Sequence, residues 1–185
     1  MRWNRHLNLQ GEHAFLSPSS HHWVNYNEER LIQRWTAAQA GEYGKAQHEY
    51  ALQEIRARRE SGLRGTVGLY INDAIRYRME CEQVLFYSEN CFGTADTIAF
   101  RRKLLRIHDL KTGVTKGSIH QLRIYAALFC LEYGIDPFAI RIELRIYQAD
   151  EVFGDIPDPE DIAFIMQKIR EFDSLLEYRR REEES

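Results

Sequence analysis

Residues 92–113 read FGTADTIAFRRKLLRIHDLKTG and carry the clearest fold signal in the chain. Phe92–Phe100 and Lys103–Leu110 are short and rich in β-branched and aromatic residues, which favours two strands joined tightly at Arg101 and Arg102. Strands linked by such a short connection pair antiparallel. With a similar run just before it, the stretch predicts a three-stranded meander.

Other strands and helices are predicted on both sides of this meander. Its first strand is Glu82–Ser88, and Phe138–Tyr147 alternates apolar and polar residues as a half-buried strand does. Apolar spacing and capping residues predict helices at Trp23–Trp35, Ala37–Arg59, Thr66–Met79, Ser118–Tyr133 and 158–182. The sequence therefore predicts an α/β domain with a central mixed sheet of about four strands flanked by helices.

Length and composition favour one globular domain over residues 1–185. The chain is 44% hydrophobic and 29% charged, which is too apolar for a disordered chain. It contains no uncharged apolar run of about eighteen residues that could span a bilayer. The first residues are basic but lead into polar sequence rather than an apolar signal core, so we expect a cytoplasmic protein with no membrane partner.

Charge is distributed unevenly along the chain. The total is −3, yet the first 150 residues carry +3 and the last 35 carry −6. A mildly basic body is compatible with binding nucleic acid. The three cysteines, Cys81, Cys91 and Cys130, match no zinc or disulfide spacing and are predicted to be reduced thiols.

Two carboxylates interrupt apolar strand faces. Asp96 shares the even positions of its strand with residues that look core-facing, from Phe92 to Phe100, and Asp109 shares a face with Ile107 and Lys111. Buried carboxylates are costly unless they are paired or bound to a cation. The pattern leaves two interpretations open, a site for Mg²⁺ or Mn²⁺ and an ordinary salt bridge to the lysine at a sheet edge.

Four short motifs in order give a resemblance to a known family. Gly93-Thr94-Ala95-Asp96, then Asp109-Leu110-Lys111, resembles the signature of the PD-(D/E)xK nucleases, in particular the RecB-like and phage exonuclease branch. Gly44…His48 and Gln121…Tyr125 resemble the G-x-x-x-H and Q-x-x-x-Y elements of that branch. Ala95 stands where the signature has Pro, and Asp109 stands where it commonly has Glu. Both are common variants that leave the metal-ligand chemistry intact.

The resemblance implies a restriction-endonuclease-like core and a set of roles. Residues 1–80 would form a helical part, 81–149 the catalytic sheet with the Q-x-x-x-Y helix, and 158–182 a C-terminal helix. The implied metal ligands of Mg²⁺ or Mn²⁺ are His48, Asp96, Asp109 and the Leu110 carbonyl. Lys111 would stabilise the attacking water, while Gln121 and Tyr125 would position DNA or the catalytic acid.

The function that follows is a metal-dependent deoxyribonuclease. An exonuclease acting on duplex or single-stranded DNA ends in phage or bacterial recombination and repair is favoured, in the cytoplasm of a bacterial or phage-infected cell. A strand-annealing protein and further copies of the chain are the implied partners. Three scattered cysteines predict no iron–sulphur cluster, and the absence of a Walker A pattern predicts no nucleotide cofactor.

Basic residues near the motifs are candidate DNA contacts. They are Arg101, Arg102, Lys103, Arg106 and Lys116, which would neutralise phosphates without reading sequence, and a solvated charged turn is the alternative. Two other functions remain open. One is a non-catalytic nucleic-acid-binding or scaffold protein with a retained nuclease fold, and the other is an inhibitor or assembly factor that uses the acidic C-terminal helix.

Overall fold

The structure is a computed structural model that describes residues 14–113 and 115–183. The chain divides into two compact units, Met1–Tyr43 and Gly44–Ser185. The described part of the first unit contains a 3-10 helix, Pro18–Asn25, and the beginning of helix α1, which spans Glu28–Arg56. The sequence predicted two helices over this region; no proline interrupts the stretch, and one continuous α-helix forms instead.

A five-stranded mixed sheet forms the centre of the second unit. Its strands run in the order β1 to β5 across the sheet. They span Glu80–Ser88, Cys91–Arg101, Leu104–Lys111, Arg141–Gln148 and Glu151–Asp155. Neighbouring strands are antiparallel except β3 and β4, which are parallel and are connected through helix α3, Ile119–Glu132.

The predicted α/β class is confirmed, but the predicted number of about four strands is too low. The strand that the sequence did not reveal is β5, which has five residues. Four of those residues are exposed and only Asp155 is partly buried. A short strand with both faces near water has no alternating apolar pattern, so nothing in its sequence distinguishes it from a loop.

Helices pack against both faces of the sheet. On one face, α3 and α4, which spans Pro159–Glu183, cover Leu85, Leu105, Ile107 and Leu144. On the other face, α2, Thr66–Arg76, and the later part of α1 cover a second core that includes Leu110 and Tyr147. In the described part of the chain, no helix is both long and apolar enough to cross a membrane.

A buried polar cluster joins α2 to the middle of the sheet. The Tyr147 hydroxyl donates to Asp73 Oδ2 at 2.6 Å and lies 3.2 Å from Nδ1 of the fully buried His108. Arg145 donates to the same Asp73 oxygen at 2.9 Å. Burial, together with the positive charges of Arg145 and Arg106, lowers the pKa of His108 to about 3, so its ring is neutral at neutral pH.

Replacing Gly68 with alanine tests how closely α2 packs against the chain before it. A Cβ atom at Gly68 would lie 2.1 Å from the backbone oxygen of Leu63, which cannot move away without shifting the backbone. We expect Gly68→Ala to lower the free energy of unfolding by about 2 kcal/mol or more, although alanine favours helix. Urea denaturation measures the change.

Gly62→Ala is the matched control, because nothing lies within 4 Å of a Cβ atom at Gly62. We expect it to leave the denaturation midpoint unchanged or slightly raised. Equal midpoints for Gly68→Ala and the wild-type chain would show that the contact with Leu63 does not constrain α2.

Candidate active site

The regular alternation of side chains along β2 is interrupted at Asp96 and Thr97. Ala95 and Ile98 both belong to the core beneath α3, although residues three apart on a regular strand point to opposite faces. The expectation that all even positions of this strand face the core is therefore wrong: Phe92 is 60% exposed, and Thr97 rather than Thr94 is buried. The interruption places Asp96 at the end of the regular β2–β3 ladder.

Asp96 and Asp109 are next to each other at the end of this ladder. Thr97 pairs with His108, so Asp96 and Asp109 are the next residues outward on their strands. The backbone N–H of Leu110 donates to Asp96 Oδ2 at 3.2 Å, so the Asp96 side chain binds β3 directly. His48 Nδ1, from α1, lies 3.8 Å from the same oxygen, which is close but too far for a hydrogen bond.

Asp109 is a buried carboxylate, with only 3% of its surface exposed. Its Oδ1 accepts a hydrogen bond from Lys111 Nζ at 3.1 Å, and Oδ2 lies 3.0 Å from Nζ without a hydrogen-bonding geometry. Burial, and then the negative charge of Asp96, raise the pKa of Asp109 to about 6, although Lys111 acts in the opposite direction. The site thus concentrates negative charge where water is scarce.

Lys111 connects this carboxylate to the Q-x-x-x-Y helix. Its Nζ lies 3.4 Å from Gln121 Oε1, and Gln121 Nε2 lies 3.4 Å from the Tyr125 hydroxyl. Gln121 and Tyr125 are four residues apart on α3 and therefore lie on one face of the helix. The structure brings together Asp109, Lys111, Gln121 and Tyr125 in one continuous chain of polar contacts.

Glycines allow the surrounding elements to approach the site closely. A Cβ atom at Gly44 would lie 2.6 Å from Thr112 Oγ1, and one at Gly93 would lie 2.9 Å from the Tyr125 ring. At Gly117 a Cβ atom would lie 2.9 Å from Lys111 Cγ. The motif glycines Gly44 and Gly93 therefore have a steric role, which the sequence could not show because their partners are distant along the chain.

Gln148, at the end of β4, is a supporting residue that the sequence analysis missed. Its side chain is 5% exposed, accepts from the Gly117 N–H at 2.9 Å and donates to the Gly113 and Thr115 carbonyls, each at 2.7 Å. These bonds hold the chain that follows Lys111. A lone glutamine at the end of a strand pattern gives no signal of this role in the sequence.

The predicted DNA contacts do not lie in one place. Arg101, Arg102 and Lys103 lie at the turn of the β2–β3 hairpin, and Arg106 lies two residues into β3 from Leu104. Asp109 is five residues beyond Leu104 along β3, a distance of about 17 Å. Lys116 follows β3 along the chain, and its Nζ lies 5.5 Å from the centroid of the Phe153 ring. Of the five basic residues, Lys116 alone follows the carboxylate end of β3.

The donor chemistry of the site fits a hard divalent cation. Within residues 14–113 and 115–183, no three His, Cys, Asp or Glu side chains are gathered as a ready-made ligand set. Two adjacent carboxylates are present, however, and Asp109 Oδ2 is buried without a hydrogen bond. Mg²⁺ is commonly held by one or two carboxylates and keeps several waters, so Asp96, Asp109 and the Leu110 carbonyl would be sufficient.

Comparison with protein-family models, curated proteins and solved structures gives no match. The side chains themselves therefore indicate what the site can do. Adjacent carboxylates next to a lysine can hold a cation, orient a water molecule and stabilise negative charge on a reacting oxygen.

Neutralising Asp109 is expected to stabilise the chain in the absence of metal. The pKa of Asp109 rises from 3.8 to about 6 on folding, so the folded protein holds more protons than the unfolded one between these values, and its stability falls as pH rises through them. We expect Asp109→Asn to raise the free energy of unfolding in EDTA at about pH 7 by about 1 to 3 kcal/mol. Chemical denaturation measures this difference.

At about pH 4.5 the difference between Asp109→Asn and the wild-type chain should narrow, because the wild-type Asp109 is then largely protonated. Glu89→Gln, at an exposed turn residue, is the control and should leave stability unchanged. A less stable Asp109→Asn variant at about pH 7 would show that the Lys111 ion pair outweighs the burial of the charge.

Proposed function

We propose that this protein is a metal-dependent DNA nuclease that hydrolyses phosphodiester bonds. The observation that carries the proposal is the contact chain from Asp109 through Lys111 and Gln121 to Tyr125, with Asp96 adjacent. These residues come from two sequence motifs on three elements. Their meeting at one site supports a shared chemical role more strongly than either motif alone.

Each residue of the site has a distinct part in the proposed reaction. Asp96, Asp109 and the Leu110 carbonyl would hold Mg²⁺ or Mn²⁺, and His48, whose Nδ1 lies 3.8 Å from Asp96 Oδ2, would be a further ligand. A bound cation would neutralise charge on the phosphate and acidify a water molecule. Lys111, fixed by Asp109, directs a positive charge to the place where the attacking oxygen would lie.

The second group of residues would position the substrate. Gln121 lies against Lys111 Nζ, so its amide orients the ammonium group, and the Tyr125 hydroxyl extends the same polar row along α3. Lys116 is exposed after the catalytic strand and is suited to contact a phosphate. We place these elements in a restriction-endonuclease-like core, and the order of three strands, a helix and a parallel strand supports that assignment.

Action on DNA ends, as an exonuclease in recombination or repair, is the form of the proposal that the sequence resemblance favours. Partners on this proposal are DNA, a strand-annealing protein and further copies of the chain.

Release of label from linear duplex and single-stranded DNA, each with Mg²⁺, Mn²⁺ or EDTA, tests the proposal. We expect metal-dependent release by the wild-type chain, and a loss of about 100-fold or more in Asp109→Asn and Lys111→Gln. Asp109→Asn is informative because the variant is expected to be more stable than the wild type, so its inactivity would not reflect unfolding. A circular duplex that remains intact would identify an exonuclease.

Lys168→Gln is the control for the lysine substitution, since Lys168 lies on α4 and pairs with Glu171. It should retain full activity. Release that persists in EDTA or in both site variants would overturn the proposal. DNA binding without release in either metal would favour the non-catalytic nucleic-acid-binding function instead.

A further inference from the structure

A pocket rich in arginine lies at the turn end of the β2–β3 hairpin, away from the carboxylates. It has a volume of about 450 Å³. The end of α2 and the hairpin contribute its lining, which consists of Arg76, Tyr77, Arg78, Arg101, Arg102, Leu104 and Arg106. Five of these seven residues are arginines, so the pocket is suited to an anionic ligand.

Most of the positive charge in the pocket is not neutralised by the protein. Arg106 pairs with Glu143 at 2.9 Å. Among the described residues, no carboxylate lies within ion-pair distance of Arg76, Arg78, Arg101 or Arg102, and these four side chains belong to exposed residues. Four like charges close together repel one another, and an anion would relieve that repulsion.

Tyr77 gives the pocket a fixed base. Its ring centroid lies 4.3 Å from the Arg106 guanidinium carbon and 5.7 Å from that of Arg76. The buried His108 ring packs perpendicular to the Tyr77 ring, with the centroids 5.8 Å apart. Stacking on a ring that is itself supported from the core limits the movement of these arginines and so reduces the entropy lost when they bind a ligand.

Several basic residues in and beside the pocket occupy backbone positions that favour other residue types. Arg78, Arg102 and Lys103 have positive φ angles of 53°, 51° and 62°, a region that favours Gly and Asn. Arg102 and Lys103 form the two-residue turn between β2 and β3, where Asn-Gly is the preferred pair. Basic residues at positions that disfavour them locally indicate a role for the charge.

We infer that this arginine pocket is a second binding site for the sugar–phosphate backbone of nucleic acid, separate from the carboxylate site. The choice of nucleic acid over another polyanion rests on the proposed function. Arg102 lies beyond the start of β3, about 17 Å or more from Asp109, which corresponds to about five base pairs of duplex. Such a site would anchor the strand at a distance from the reacting phosphate.

The test is binding of a fluorescein-labelled blunt DNA duplex in EDTA, measured by anisotropy over a range of salt concentrations. The variant carries Arg78→Asn and Arg102→Asn. Asparagine tolerates a positive φ, so these changes remove two positive charges without straining the backbone. We expect about 10-fold weaker binding and a salt slope smaller by about 2, one for each lost phosphate contact. Thermal denaturation should show an unchanged or higher midpoint.

The control carries Arg64→Gln and Arg170→Gln, two exposed arginines outside the pocket, and has the same change in net charge. Equal loss of affinity in both double variants would overturn the inference, because general attraction would then account for binding. Unchanged affinity in the pocket variant would overturn it as well. Tight binding of inorganic pyrophosphate to the wild type, with duplex affinity kept in the variant, would show a site for small phosphates instead.

Failure of the nuclease proposal is distinguishable from failure of this inference. Binding is measured without metal, so it does not depend on hydrolysis. If the pocket variant loses duplex affinity and the wild-type chain never cleaves DNA, the arginine site is supported and the nuclease proposal is wrong. If cleavage depends on Asp109 and Lys111 and the pocket variant keeps full duplex affinity, the nuclease proposal is supported and the arginine-site inference is wrong.

Discussion

A carboxylate held in a place poor in water is the constraint on which the candidate site depends. Asp109 is buried beside Asp96, and Lys111 is its nearest positive partner. The two acids lie opposite each other, one residue beyond the Thr97–His108 pair that ends the β2–β3 ladder, and the Leu110 N–H holds the Asp96 side chain against β3. An arrangement that costs stability and raises the pKa of a carboxyl group is typical of functional sites.

The packing around this pair explains why the site can exist at all. Close approaches at Gly44, Gly93 and Gly117 bring α1, α3 and the chain after β3 to the end of the hairpin, and a side chain at any of them would collide with a neighbour. Gln148 then satisfies the polar backbone groups of the segment after Lys111. The close packing at the glycines and the hydrogen bonds of Gln148 thus together hold Lys111 and the segment after it in position.

The β2–β3 hairpin carries opposite charges at its two ends. Asp96 and Asp109 lie just beyond the Thr97–His108 pair that ends the β2–β3 ladder, whereas Arg101 and Arg102 lie at the turn, about 17 Å from Asp109. The net charge of −3 conceals this separation, because the acidic residues of the last 35 positions offset the basic body. With a divalent cation held at the carboxylate end, such a hairpin would present two positive points to an extended polyanion.

Local sequence determined the α/β class, four of the five strands and the candidate residues Asp96, Asp109, Lys111, Gln121 and Tyr125, because strand period, turn residues and motif spacing act over short distances. The tertiary structure alone decided the fifth strand and the interruption at Asp96 and Thr97. It also decided that Lys111 meets Gln121 and that Gly44 meets Thr112. These features depend on which distant segments pack together. That packing is decided by the free energy of the whole chain, which cannot be read from a short stretch of sequence.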